Sequence, residues 1–251
     1  MKKKSNYVPG ILIKLILVLM FLGTTSIYCA SIKFLDGRTF STTGLNSTKT
    51  IHIRNESTGY EAYEITSFAR NLDIDGQDIL STSDDFIIEP RQILVEPKSE
   101  MFVTCSYIGP EDIDIEQAYR FKFKSVPLPK GNNRIKTKKG VAGGNVGMTM
   151  HYLKSAYVTS QEFQSNIEIS NGVHEKDEEG NEWLKMVFVN TGSKHHVLRK
   201  TELIIYLKDK KIKLNPEELK LILILANSKI EKKIPWPEGV LPDNLNLGLN
   251  L

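Results

Sequence analysis

The chain has 251 residues, a quarter of them charged, and a formal net charge of +3. With the balance that near neutral and the basic residues local rather than pervasive, composition excludes a nucleic-acid binder. The two cysteines are Cys29 and Cys105, and Cys29 falls in a leader, so a disulfide-stapled secreted module is excluded as well.

That leader opens the chain. Lys2 to Lys4 supply a positive n-region, Leu15 to Gly23 an apolar h-region, and Thr24 to Ser31 a small, polar c-region. Lys14 interrupts the apolar run and leaves it too short to span a bilayer, so the pattern predicts a secretory signal peptide over residues 1–31. Tyr28 directly before Cys29 is a poor fit to a lipoprotein box, and lipid anchoring at Cys29 is not expected. About 220 residues remain, which suits either one large β domain or two sandwiches of roughly 100 residues each, stabilised by core burial alone.

Past the leader, short alternating runs follow one another between turn residues. Thr50 to Arg54 alternates and stops at Asn55-Glu56-Ser57, and Tyr63 to Phe68 does the same before the turn chemistry of Asn71 to Asp78. Phe86 to Glu89 is halted by Pro90; Ile93 and Val95 precede Pro97; Met101 to Tyr107 and Tyr119 to Val126 complete the series. Runs this short predict an all-β chain of sandwich type, with edge placement beside Pro90, Pro97 and Pro127. Residues 128–145 break the composition: Lys130, Arg134, Lys136, Lys138 and Lys139 stand among glycines and asparagines, too polar to pack.

A strand follows at once. Val146, Met148, Met150 and Tyr152 alternate with Gly147, Thr149 and His151, the period of a pleated backbone. An apolar row beside a basic loop suggests a strand offered to a partner. A second set of strands then runs from Asn166 to Ser170, Trp183 to Val189, Leu198 to Leu207, Leu219 to Ala226 and Ile230 to Ile234, and ends in the leucine row 245, 247, 249 and 251. The expected division is a signal peptide (1–31), a first sandwich (32–160, with the loop 128–145 and the donor strand 146–158) and a second sandwich (161–251).

Three segments together resemble the periplasmic pilus-assembly chaperones, the PapD-like family, in a divergent form. Phe86 to Pro97 looks like that family's strand, proline, apolar alternation, proline signature. Pro110 to Pro127, with Asp112, Glu116, Tyr119, Arg120 and Phe121, is similar to its P-x-D…E-x-x-[YF]-R-[LF] segment. Asn190, Gly192 and His195, followed by Leu198-Arg199, look like its N-x-G-x-x-H hairpin. The resemblance implies two immunoglobulin-like domains at an angle, no catalysis and no cofactor. It also implies pilus or fimbrial subunits as clients and an outer-membrane usher as second partner, in the periplasm. In such a chaperone a lent strand completes the client's sheet by β-augmentation. A cation in the cleft between the domains anchors the client's terminal carboxylate. Lys154 matches the family's cleft lysine. The family's cleft arginine falls on Thr39, with Arg38 one residue away, and His151 is the basic residue in an alternative register. The donor row is Val146, Met148, Met150 and Tyr152. The alternative reading, from another class, is an exported immunoglobulin-like structural or adhesive surface protein: a pilus subunit or an envelope lipoprotein.

Other motifs lead nowhere. Asp73-Ile-Asp75-Gly76-Gln-Asp78 has its glycine misplaced for a calcium loop and no closing glutamate, which predicts a hairpin turn. His195 and His196 in a strand would point to opposite faces, so no metal site is expected there. Gly140 to Gly147 lacks the residues of a phosphate loop, and no serine or cysteine sits in a nucleophile motif. No enzyme activity and no small-molecule substrate are expected.

Overall fold

The structure is a computed structural model that describes residues 30–128, 149–198, 203–207, 210–213, 221–237 and 246–249. The leader with Cys29, and Val146 and Met148 of the expected donor row, lie outside the described residues.

The first part of the chain forms β1 (Ser31–Phe34), β2 (Thr39–Phe40), β3 (Thr48–Arg54), β4 (Glu61–Leu72), β5 (Asp78–Thr82), β6 (Phe86–Glu89), β7 (Gln92–Val95), β8 (Glu100–Tyr107), β9 (Gln117–Ser125) and β10 (His151–Val158). One sheet has the order β1-β3-β8-β6, and the second the order β2-β10-β9-β4-β5, with β7 also paired to β4. Alternation decides the faces. Ile51 and Ile53 of β3, Val103 and Cys105 of β8, and Phe121 and Phe123 of β9 all point inward and are fully buried. At the centre, the Phe86 ring meets Phe40 and Phe121 edge-to-face, with centroids 5.2 and 5.0 Å apart. Burial pushes the free Cys105 thiol up to about 12, which makes it an inert core residue.

The later part forms β11 (Ile167–Lys176), β12 (Glu182–Asn190), β13 (His196–Leu198), β14 (Leu203–Leu207), β15 (Lys210–Lys213), β16 (Ile222–Ile224), β17 (Ser228–Pro235) and β18 (Asn246–Leu249). They pair as β11-β12-β17, β13-β16 and β15-β14-β18. A second core gathers Leu184, Met186, Phe188, Ile224, Ile230 and Ile234, separate from the first. The fold is all-β and of immunoglobulin-like sandwich type.

Several boundaries differ from those expected. The strand expected over 146–158 begins at His151 among the described residues. Of the expected run Leu198 to Leu207, Leu198 falls in β13 and Leu203–Leu207 form β14, and residues 199–202 lie outside the described residues. The turn expected over Asn71 to Asp78 is narrower, because β4 runs on to Leu72 and β5 starts at Asp78. Leu72 continues because its side chain reaches the second core.

Candidate functional site

β10 is the strand on which the expected site falls. It pairs antiparallel with β9 along its whole length, from His151 opposite Lys124 to Val158 opposite Gln117. On its other side it meets only β2, and only at Tyr157 and Val158, which lie opposite Thr39 and Phe40. From His151 to Ala156 that edge has no strand beside it among the described residues.

Which backbone groups face the open edge follows from the ladder. Ser125 donates its N–H to the Met150 carbonyl at 2.9 Å, and Tyr157 donates its N–H to the Arg38 carbonyl at 2.9 Å on the opposite side. Backbone groups alternate along a strand. Tyr152, Lys154 and Ala156 therefore turn their amides and carbonyls to β9, whereas His151, Leu153 and Ser155 turn theirs outward. The side chains alternate too. Ala156 and Val158 lie in the first core, and Tyr152 packs against it, edge-to-face with Tyr63 at 6.0 Å. Leu153 belongs to the other row and is 44% exposed.

The expected site residues are strung along this strand rather than gathered. Arg38 and Thr39 sit at its far end, where the Arg38 guanidinium lies 5.4 Å from the centre of the Tyr157 ring. Lys154 lies opposite Phe121, three residues or about 10 Å upstream. His151 opens the strand about 20 Å from Tyr157 and is exposed. Lys154 and Arg38 make no ion pair with another described residue. Met150 is 39% exposed just before the strand, with its N–H donated to the Ser125 hydroxyl at 2.8 Å. Of the expected donor row, Tyr152 faces the chain's own core.

Beside the open edge runs a charged row that the sequence reading missed. Asp78 accepts hydrogen bonds from Arg70 Nε and Arg120 Nε, each at 2.7 Å, and Arg120 Nη1 donates to the Ser155 hydroxyl. Burial opposes ionisation of Asp78, but these bonds outweigh it and hold the carboxyl below its usual range. From β9, Arg120 thereby reaches β10 on one side and, across β4, β5 on the other. The only sequence signal was Arg120 within the family-like segment.

At its far end β10 meets the second part of the chain. The His195 ring stacks on Tyr157, with centroids 4.0 Å apart and planes 12° apart. Its Nδ1 pairs with Glu116 Oε1, which also accepts the His195 N–H at 3.1 Å. The Glu116 N–H donates to the Ser193 carbonyl at 2.8 Å. Two segments that sequence analysis singled out separately, around Glu116 and around His195, thus meet here. His196 turns elsewhere, its Nδ1 lying 3.1 Å from the Ser165 hydroxyl.

No protein-family model matches the chain, and no curated protein matches its sequence. Solved structures do match its fold. A chain in the crystal structure of the CsuC–CsuE chaperone–tip adhesion subunit pre-assembly complex, from the archaic chaperone–usher Csu pili of Acinetobacter baumannii, superposes with a TM-score of 0.55 at 12% identity, covering 88% of this chain and 97% of that one. The class 5 fimbriae chaperone CfaA superposes with a TM-score of 0.50 at 10% identity, covering 88% of this chain and 99% of that one. The fold is therefore that of pilus chaperones, over nearly the whole length of both.

Proposed function

We propose that the chain is a periplasmic chaperone that binds pilus or fimbrial subunits by lending them β10, and that it passes them to an outer-membrane usher. The observation that carries this reading is the open edge of β10 from His151 to Ala156. A strand that pairs on one side only among the described residues, with Leu153 exposed on it, is ready to pair with an incomplete sheet. The likeness in fold to CfaA and to a chain of the CsuC–CsuE complex supports it. On this reading the chain is a binding protein rather than an enzyme. It consists of two sandwiches that divide near residue 160, and Met150 lies just before the lent strand. Each apolar side chain buried in the client's groove contributes about 1.5–3 kcal/mol before binding costs are subtracted. Lys154 is the first choice of anchor for the client's terminal carboxylate, and Arg38 the second.

Co-expression of the chain with the exported proteins encoded beside it tests the proposal. A stable one-to-one complex is expected. Met150→Asp or Leu153→Asp should abolish it, by placing a charge in an apolar groove. Lys154→Ala should weaken it by about 2–5 kcal/mol, as when one partner of a desolvated charge pair is removed. The proposal fails if no partner co-purifies, or if all three variants leave the complex intact.

A further inference from the structure

An open cavity of about 350 Å³ lies where the two parts of the chain adjoin. Thr39 and Ser41 line it from β2 and just beyond, Lys49 from β3, Thr159 and Gln161 from the segment after β10, and Lys194 from the hairpin after β12. No carboxylate is among its lining residues.

Lys49 is the anomaly. It occupies the inward row of β3 with Ile51 and Ile53, lies opposite Cys105 of β8, and is only 7% exposed. Among the described residues its Nζ makes one hydrogen bond, to the Asn46 Oδ1 at 3.5 Å, which is at the outer limit of such a bond. It makes no ion pair with any described residue, and neither does Lys194. A buried ammonium without a counter-charge is costly, and a second ammonium on the same cavity adds repulsion.

We propose that this cavity is a binding site for a phosphate-like oxyanion. Such an anion accepts charge-assisted hydrogen bonds from both ammonium groups, and the Thr39 hydroxyl supplies a further donor, whereas those of Ser41 and Thr159 donate to the Thr43 and Ser160 carbonyls. A doubly charged anion balances both lysines. Because Lys49 and Lys194 come from the two parts of the chain, the bound anion joins them. The proposal is independent of the chaperone reading.

Calorimetric titration and thermal melting with inorganic phosphate test it, against chloride at equal ionic strength. Saturable binding is expected, with a melting temperature that rises with phosphate concentration and stays flat with chloride. Lys194→Gln should weaken binding about tenfold or more, the loss of one charge-assisted hydrogen bond. Lys49→Met should abolish it, and because that substitution sits in the core, Lys194→Gln carries the test if the Lys49 variant does not fold. Glycerol phosphate in the same titration separates two sources. Binding of inorganic phosphate alone assigns the site to the free anion, and binding of both assigns it to the phosphate group wherever carried. An equal rise with chloride, or wild-type affinity in Lys194→Gln, overturns the proposal.

Discussion

Asn55 and Asn190, each no more than 1% exposed, hold the chain reversals after β3 and β12 in the same way. Asn55 Nδ2 donates to the carbonyls of Gly59 and Val95 at 2.7 and 3.1 Å, and its Oδ1 accepts the Ser57 N–H at 2.8 Å. Asn190 Nδ2 donates to Lys194 and Leu225 at 2.7 and 2.9 Å, and its Oδ1 accepts the Gly192 N–H at 3.0 Å. Asp73 and Asp177 form a second such pair, each accepting two backbone N–H groups on Oδ1 within a tight turn. Each turn puts its glycine in the left-handed region, Gly76 at φ 82° and Gly180 at φ 86°. That settles the calcium-like motif around Asp73 as a hairpin turn. Asp177 carries more donors than Asp73. The Trp183 Nε1 and Asn181 Nδ2 bonds, each 2.9 Å, together with the Asn181 and Glu179 N–H groups, lower its pKa from 3.8 to about 2. A lowered folded-state pKa means stability that is complete above pH 3.8 and is lost as pH falls towards about 2. Asp177→Asn should therefore be less stable than wild type at pH 7, with the gap closing as pH approaches about 2. Denaturant midpoints across that range check this, and a gap that stays constant with pH would refute the assignment.

At the scale of single strands, β10 offers a test that needs no partner. If its outer edge is open, amide exchange should alternate along the strand. Tyr152, Lys154 and Ala156, bonded to β9, should exchange slowly, and Leu153 and Ser155 fast, the latter pair becoming slow when a client binds. Uniform protection in the free chain would mean that something else covers the edge. How much of this was legible depended on alternation. Rows with one strongly buried face, such as Ile51 and Ile53 or Tyr119, Phe121 and Phe123, announced their strands and their inward faces. β2, with two residues, is too short to show a period, and β5 shows none because four of its five residues are exposed. The apolar row that ends in Tyr152 was readable as a strand. Periodicity cannot say whether such a row fills the chain's own core or a partner's, and here Tyr152 packs on Tyr63 while Leu153 takes the exposed row. The Arg120 to Asp78 bond spans 42 residues of sequence, a separation over which no spacing rule applies.

At the scale of the whole molecule, polar contacts at two places among the described residues join the two parts of the chain, besides the packing of Leu72 on the second core. The tip of the β4–β5 hairpin lies on β17, where the Ile74 carbonyl accepts the Glu231 N–H at 2.6 Å and the Asp75 carbonyl accepts Lys232 Nζ at 2.8 Å. The other is the Glu116 and His195 pair, stacked on Tyr157 at the end of β10. The Glu116 side chain is only 1% exposed, and its Oε2 has no hydrogen-bond partner among the described residues. Among the described residues, His195 is therefore the partner that holds this buried side chain. Removing one partner of a buried pair typically costs about 3–5 kcal/mol. His195→Ala should cost somewhat less, about 2–3 kcal/mol, because the backbone N–H of residue 195 still reaches Glu116. The substitution should also uncouple the cores. Both tryptophans, Trp183 and Trp236, belong to the later part of the chain, so their fluorescence follows the second core while tyrosine near-ultraviolet dichroism is weighted towards the first. In wild type the two signals should melt together. In His195→Ala the tryptophan and tyrosine signals should melt at different temperatures, since the variant loses the Glu116 to His195 tie between the two parts. Coincident, unshifted transitions in the variant would mean that the hairpin tip on β17 and the packing of Leu72 couple the two cores.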